Sequence, residues 1–112
     1  MSLYGDYVNE RKGYFIIEDD KGFATYGEML LEDQTVMYIE TVYVRPELRG
    51  QNIGDSYADE ISLIAKNKGI KLLLGSVDPN CNYSHESLLV LLGYGFKLYS
   101  AENNLIWFVK EI

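Results

Sequence analysis

The segment from Val42 to Ile61, VYVRPELRGQNIGDSYADEI, contains the residue types of an anion-binding loop. An apolar run leads into Arg-Pro, then into a polar loop with glycine at positions 50 and 54, and then into an amphipathic pattern. The first N–H groups of a helix have no partner within the helix and lie at its positive end, so a glycine-containing loop before a helix can hold a phosphate. The alternative interpretation is an ordinary β-to-α connection.

Four other residues of this loop bear on anion binding. Asn52 stands midway between the two glycines, and asparagine is one of the few other residues that tolerate left-handed backbone geometry. Arg45 and Arg49 can add attraction for a phosphate. Asp55 would favour the start of a helix but repel a bound pyrophosphate, so we expect its side chain to point away from the loop.

The composition narrows the class of protein. The sequence has 112 residues, 47% apolar and 24% charged, which is typical of a globular chain, and we expect a single domain over residues 1–112. A net charge of −7 argues against a nucleic-acid partner and favours a cationic one, such as an amine or a basic peptide. The single cysteine, Cys81, excludes an internal disulfide and fits a reducing cytosol. A polar N-terminus and the lack of a long apolar run predict a cytoplasmic protein with no membrane partner.

The first half of the chain is expected to form an antiparallel meander. Apolar, aromatic and β-branched runs predict three strands, at Tyr14–Glu18, Phe23–Leu31 and Val36–Val44. Turn-forming residues at 19–22 and 32–34 separate these strands. The predicted order of elements therefore begins with a strand.

A βαβ unit should follow the meander. Apolar residues at helical spacing predict a helix over residues 54–68, and Gly69 supplies its stop. The continuous apolar run Lys71–Val77 predicts a strand that is buried on both faces. The crossover between the two strands should be right-handed.

The last third of the chain predicts a short helix and a hairpin. The helix should cover Ser84–Leu92, with Ser84 as its N-cap and Gly93 at its end. Two strands then surround the turn at 101–104. The fold class is thus α/β, a mixed sheet with helices on its faces and the order β-β-β-α-β-α-β-β.

From about Tyr14 to Ile112 the chain resembles the GCN5-related N-acetyltransferase (GNAT) family, whose fold is an acyl-CoA N-acyltransferase core. The family's signature, Arg/Gln-x-x-Gly-x-Gly/Ala between a strand and a helix, corresponds to residues 49–54, RGQNIG, after the family-like VYVRPEL. The LGYGF at 92–96 resembles the ending of the family's later helix. The sequence departs from the pattern at Asn52, where the central glycine is usual. It also lacks the strand and two helices that normally precede the meander and form one wall of the acceptor site.

The resemblance implies that acetyl-CoA is the cosubstrate. In the family, backbone amides of the loop hold the pyrophosphate, and the preceding strand pairs with the pantetheine arm where it splays from the next strand. The corresponding positions are Thr41, Val42, Tyr43, Val44, Arg49, Gly50, Gln51, Asn52, Ile53, Gly54 and Asp55. Asn80 or Asn82, just beyond the next strand, could bond the pantetheine arm or could be turn residues.

Acetyl transfer to an amine needs a base for the amine, a polarised carbonyl and an acid for the departing thiolate. The resemblance places Leu91 where family members often have the tyrosine that acts as this acid. Tyr83 and Tyr94 are nearby candidates for that role, or else packing residues. Glu40 interrupts an apolar strand, and histone-acetylating relatives use a glutamate at a similar place, so it is the candidate base or a solvent-facing residue. His85 is a further candidate base, or a capping or surface residue.

The implied function is that of an acetyl-CoA-dependent N-acetyltransferase that transfers the acetyl group directly to an amine of a small molecule or a peptide. Because the acceptor wall is reduced, a second subunit in a homodimer, or a macromolecular acceptor, would complete the site. One alternative is a catalytically degenerate module that binds CoA without turnover, and another is a structural dimerisation domain. No metal-ligand spacing occurs in the sequence, so no metal is expected.

Overall fold

The computed structural model describes residues 3–112, except for the side chains of Val8, Arg11 and Lys12. It contains three helices, one 3₁₀ turn and six strands over this range. In chain order they are α1 Leu3–Lys12, β1 Phe15–Glu18, β2 Gly22–Leu31, β3 Gln34–Val44, the 3₁₀ turn Pro46–Leu48, α2 Ile53–Asn67, β4 Leu72–Val77, α3 Ser84–Tyr94, β5 Lys97–Glu102 and β6 Leu105–Glu111. None of the helices between residues 3 and 112 is long and apolar enough to cross a membrane.

The six strands form one mixed sheet in the order β1-β2-β3-β4-β6-β5. Only β3 and β4 run parallel, and every other neighbouring pair is antiparallel. The β2–β3 hairpin has its turn at Glu32-Asp33, and the β5–β6 hairpin has its turn at Asn103-Asn104. All four of these residues have positive φ. Such two-residue turns match the right-handed twist of the strands. The predicted α/β class with a mixed sheet is confirmed.

Helix α1 is the element that the sequence patterns did not predict. Its apolar residues do not recur on one face, and Leu3, Tyr4 and Tyr7 are all exposed. The helix contacts β1, and the ring of Tyr4 lies 5.4 Å from that of Phe23 on β2. One helix thus stands before the meander, where the prediction began with a strand.

The predicted start of α3 at Ser84 is correct, but its predicted end and N-cap were wrong. The helix continues through Gly93 and stops at Gly95, whose φ is 107°. There the N–H groups of Gly95 and Phe96 donate to the carbonyls of Leu92 and Leu91, which closes the last turn. At the other end Tyr83 is the N-cap, so Ser84 is the first helical residue and not the cap. The predicted stop of α2 at Gly69 is correct, with φ at 77°.

Two apolar clusters lie on opposite faces of the sheet. On the first face α2 and α3 pack over a core that includes Met37, Ile61, Ala65, Leu73 and Phe108. On the second face the buried residues are Val36, Tyr38 and Leu74, with Tyr14 and Trp107 packed against them. Both helices that follow the meander therefore cover the same face.

The two glycines near the end of α3 give opposite predictions. Gly95→Ala should lower the free energy of unfolding by about 1–2 kcal/mol, because L-residues disfavour positive φ. The new methyl would also lie 3.1 Å from Lys110 Cε. Gly93→Ala lies within the helix, and apart from the neighbouring residues and backbone of α3 itself no described atom comes within 4 Å of the added methyl. It should raise the free energy of unfolding by about 0.5–1 kcal/mol.

Denaturant unfolding of both variants measures this difference. Equal effects of the two substitutions would contradict the helix end at Gly95.

Candidate functional site

Strands β3 and β4 separate soon after they pair. Within the described residues they are paired only at Met37 with Leu73 and at Tyr38 with Leu74. Beyond this point β3 stays paired with β2 as far as Val44, and β4 stays paired with β6 as far as Val77. The facing edges of residues 39–44 and 75–77 therefore enclose an opening, here called the wedge. Backbone N–H and C=O groups along such an edge can pair with an extended ligand as a further strand would.

A β-bulge at Glu40 lies where the wedge begins. Thr25 of β2 is opposite Thr41 and Tyr26 is opposite Ile39, so Glu40 is the extra residue of β3. The hydroxyl of Thr25, which is fully buried, donates to Glu40 Oε1 at 3.1 Å. The carboxylate of Glu40 is therefore held in a fixed orientation near the closed end of the wedge, while the residue remains partly exposed.

The carboxylate of Glu40 lies on the second face of the sheet. Side chains alternate between faces along a strand, so Thr25 and Gly27 of β2 share a face. Gly27 lies directly beneath the ring of Tyr14, since a Cβ there would be 2.2 Å from that ring. Because Tyr14 belongs to the second cluster, Thr25 and the carboxylate that it contacts face away from α2 and α3.

The loop between β3 and α2 has the backbone geometry of an anion site. Gly50 has φ at 84°, and Asn52 has φ at 61° and ψ at 25°, which is left-handed, as expected for asparagine at a position that favours glycine. Asn52 is the N-cap of α2, and its carbonyl accepts from the N–H of Ser56 at 3.2 Å. The N–H groups of Ile53, Gly54 and Asp55 lie in the first turn of the helix and so have no acceptor within it. The side chain of Asn52 makes no capping bond to them in the described structure.

The predicted loop residues are brought together with the end of β3. A Cβ on Gly54 would lie 3.4 Å from Val42 Cγ1, so the start of α2 packs directly against β3. Arg49 Nε donates to the carbonyl of Val44 at 3.0 Å, and its guanidinium lies 5.6 Å from the centre of the Tyr43 ring. These contacts hold a positive charge at the end of β3, where the loop begins.

Hydrogen bonds to Asp19 connect the turn between β1 and β2 to helix α2, which follows the loop. Asp19 Oδ1 accepts from the Tyr57 hydroxyl at 2.7 Å and from the N–H groups of Lys21 at 2.8 Å and Gly22 at 3.2 Å. The bond from Tyr57, together with that from Lys21, lowers the pKa of Asp19. Burial, and then the Asp19 carboxylate, raise the pKa of Tyr57. The backbone N–H of Arg45, at the start of the loop, donates to the carbonyl of Lys21 at 2.9 Å, and Tyr57 lies in the helix that follows the loop. The turn between β1 and β2 is therefore joined to the chain on both sides of the loop.

Tyr94 is engaged between the helices. Its hydroxyl donates to Asp59 Oδ1 of α2 at 2.5 Å, and Lys110 Nζ lies 4.8 Å from its ring centre. Burial and the bond to Asp59 raise the pKa of Tyr94 to about 12. The charge of Asp55 also contributes to this rise.

Leu91 packs where the resemblance places a tyrosine. A Cβ on Gly75 of β4 would lie 3.0 Å from Leu91 Cδ2 and 3.5 Å from Phe96 Cε1, so α3 contacts β4 closely through this glycine. Leu91 also packs against the first core cluster. The side chain thus anchors α3 to the strand that forms one side of the wedge.

The remaining predicted residues lie between β4 and the first turn of α3. Asn80 N–H donates to Asp78 Oδ1 at 2.9 Å, which forms a tight turn. Asn82, Tyr83 and His85 are exposed. Because β3 and β4 are parallel, their carboxyl ends share one edge of the sheet, and this segment lies at the same edge as the anion loop.

Two hydroxyl-bearing residues at the wedge were missed in the sequence. Tyr38 and Ser76 bond through their hydroxyls at 2.7 Å and so connect β3 to β4. The available signals were a serine within the apolar run LLLGSV and a tyrosine two positions before Glu40. Neither signal indicates that residues 38 positions apart touch, which depends on the register of the sheet.

Comparisons with known proteins agree with this geometry. The sequence matches the family described as "Acetyltransferase (GNAT) family" over residues 2–94. No curated protein matches it. Three similar solved structures have 16–19% sequence identity to this chain, a level at which the likeness shows the fold.

The first is a GNAT family acetyltransferase from Elizabethkingia anophelis with acetyl-CoA bound, with a TM-score of 0.70, 17% identity, and coverage of 96% of this chain and 82% of that one. The second is PaiA N-acetyltransferase from Thermoplasma acidophilum in complex with coenzyme A, with a TM-score of 0.73, 19% identity, and coverage of 98% and 69%. The third is Arabidopsis thaliana Naa50 in complex with the bisubstrate analogue CoA-Ac-MVNAL, with a TM-score of 0.64, 16% identity, and coverage of 82% and 66%.

The Asp19 cluster predicts a pH-dependent stability. Asp19→Ala should lower the free energy of unfolding by about 1–3 kcal/mol at neutral pH, because it leaves the buried Tyr57 hydroxyl without its acceptor. Because the pKa of Asp19 is lower in the folded state than its usual value of 3.8, the ionised carboxylate stabilises the fold at pH values above 3.8. This contribution is lost as the pH falls through the folded-state pKa. The difference in melting temperature between wild type and Asp19→Ala should therefore narrow on acidification.

Tyr57→Phe is the matched control, because it removes the hydroxyl but keeps the buried ring, and it should cost less than Asp19→Ala. A melting-temperature difference for Asp19→Ala that stays constant from neutral pH to below 3.8 would contradict the assigned role of the carboxylate.

Proposed function

The chain belongs to the acetyltransferase (GNAT) family, and on that premise we propose that it is an acetyl-CoA-dependent N-acetyltransferase. The observation that supports this most directly is that the wedge and the uncapped start of α2 lie at one edge of the sheet. An extended arm and an anionic group attached to it could be bound there together. The solved structures with coenzyme A or acetyl-CoA share this fold, which supports the same choice of cosubstrate.

The residues around the loop and the wedge fit coenzyme A. The N–H groups of residues 51–55, with the charge of Arg49, would hold the pyrophosphate, and no described atom occupies the space over Gly50. The edge of residues 41–44 would pair with the pantetheine arm. When bound, acetyl-CoA supplies an acetyl group already activated as a thioester. Backbone N–H groups at the wedge would polarise its carbonyl.

Glu40 is the proposed base. It lies on the second face of the sheet at the closed end of the wedge, and Thr25 holds its carboxylate in position. From there it would accept the proton of the attacking amine through a water molecule. His85 is a second candidate because it lies at the same edge of the sheet, and its exposure leaves it free of the packed core.

The acceptor is proposed to be an amine of a small molecule or a peptide. A net charge of −7 attracts cations rather than nucleic acid, and one structural neighbour is a complex with a peptide-containing bisubstrate analogue. Of the two helices that the family places before the meander, the described residues contain one, α1. We therefore propose that a second copy of the chain completes the acceptor wall in a homodimer. The cytoplasm is the proposed location, because Cys81 is an exposed free thiol.

A binding module that holds CoA without turnover is the second candidate. It is favoured by Leu91, which packs on Gly75 where the resemblance places the usual acid. Tyr94, bonded to Asp59, and Tyr83, exposed at the N-cap of α3, would both need to rearrange to act as acids.

Binding of acetyl-CoA is the first test of the proposal. At about 100 times its Kd the ligand should stabilise the protein by about 2.7 kcal/mol, which a thermal melt detects. Asn52→Gly should bind it more tightly, because glycine keeps the positive φ and removes a side chain from the loop surface. Asn52→Leu, the control, should bind it less tightly, because it places a bulky side chain in left-handed geometry. No stabilisation of the wild type at millimolar ligand would exclude the proposed function.

Glu40→Gln tests turnover. The amide oxygen of glutamine can still accept the bond from Thr25, but it cannot take up a proton, so kcat should fall by about 10²–10⁴-fold with acetyl-CoA affinity unchanged. The assay is release of the free thiol with a panel of amines. Glu18→Gln, an exposed acid at the end of β1, serves as the control. Equal rates for wild type and Glu40→Gln would remove Glu40 from the mechanism, and a wild type that binds without turnover would favour the binding module.

A further inference from the structure

The hydroxyls of Tyr38 and Ser76 form a bridge across the closed end of the wedge. Tyr38 belongs to the last residue pair that joins β3 to β4, and Ser76 lies two residues beyond its β4 partner, Leu74. Their hydroxyl oxygens are 2.7 Å apart. Tyr38 is only 8% exposed, whereas Ser76 is partly exposed, so the serine is the more accessible member of the pair.

The bridge lies on the same face of the sheet as Glu40. Tyr38 belongs to the second cluster, where its ring lies 6.1 Å from that of Tyr14 and 5.7 Å from that of Trp107. The Glu40 carboxylate was placed on this face through Thr25. A group at the closed end of the wedge would therefore have a carboxylate and a pair of hydroxyls on one side.

The direction of the cosubstrate brings its sulfur toward this bridge. Its pyrophosphate would lie at the carboxyl end of β3, at the start of α2, so an arm that follows β3 into the wedge leads from Val44 toward Tyr38. The thioester is at the far end of that arm. The tyrosines considered earlier point elsewhere, since Tyr94 donates to Asp59 and Tyr83 is at the exposed N-cap of α3.

We propose that Tyr38 and Ser76 together are the proton donor to the departing sulfur, an inference that rests on the proposed acetyl transfer. The amine nitrogen bonds to the acetyl carbon, the C–S bond breaks, and the sulfur keeps the electron pair. Ser76 gives its proton to the sulfur and takes the proton of Tyr38. The amine releases its proton to Glu40, and solvent carries a proton from Glu40 back to Tyr38, so that no net charge remains. The pair replaces the acid that Leu91 cannot provide.

Ligand binding tests this assignment without an acceptor. Calorimetry compares coenzyme A with its analogue in which hydrogen replaces the thiol group, above the ordinary thiol pKa of about 8.5. A hydrogen bond to a charged sulfur should give the wild type a preference of about tenfold or more for coenzyme A. Tyr38→Phe with Ser76→Ala should abolish that preference and leave the affinity for the thiol-free analogue unchanged. That unchanged affinity also shows that the double variant is folded.

Turnover gives the second measurement. Each single variant should lower kcat by about 10²–10⁴-fold, and the loss of the acid should remove the basic limb of the pH–rate profile. Tyr99→Phe, which removes an exposed hydroxyl on β5, is the matched control and should leave kcat unchanged.

The outcomes separate this inference from the function on which it rests. A wild type that binds neither ligand overturns the proposed function and this inference with it. A wild type that binds both ligands equally, a double variant that keeps the preference, or single variants that retain kcat within about threefold overturn the inference alone. Loss of the preference together with the loss of kcat supports it.

Discussion

The parallel pairing of β3 with β4 over only two residue pairs is the constraint on which the rest of the site depends. Both strands continue past this point, but each follows its antiparallel neighbour on the outer side. The bulge at Glu40 comes two residues after Tyr38 of the last pair, and a bulge bends its strand and increases the local twist. One extra residue in β3 therefore coincides with the point where the two strands separate, and it also places the carboxylate at the closed end of the wedge.

The position of the anion loop follows from the same course of β3. Where the strand ends, the chain makes a 3₁₀ turn and enters α2, whose first turn packs back on Val42 through Gly54. Asp19 holds Tyr57 of that helix and the backbone of the β1–β2 turn at once. Because the β1–β2 turn and α2 meet at one carboxylate, the first turns of α2 are held in place by this neighbouring turn and not by the loop alone.

Local patterns in the sequence were enough to predict most elements but not their register. Alternation and helical spacing gave the meander, α2 and its stop at Gly69, and the type of residue at Asn52 allowed its left-handed backbone. Helix α1 was missed because its apolar residues form no stripe, and α3 was ended too early because Gly93 and Gly95 are equivalent as local signals. The bulge, the wedge and the contact of Tyr38 with Ser76 arise from pairing between distant segments, which no local pattern contains.

The short β3–β4 pairing divides the sheet into two halves that differ in how they are held. One half consists of β1, β2 and β3, the other of β4, β6 and β5, and few backbone bonds cross the boundary. Parts of a protein that share few contacts can open as separate cooperative units below the free energy of global unfolding. An extended ligand in the wedge would act as a missing central strand that joins the two halves into one folding unit.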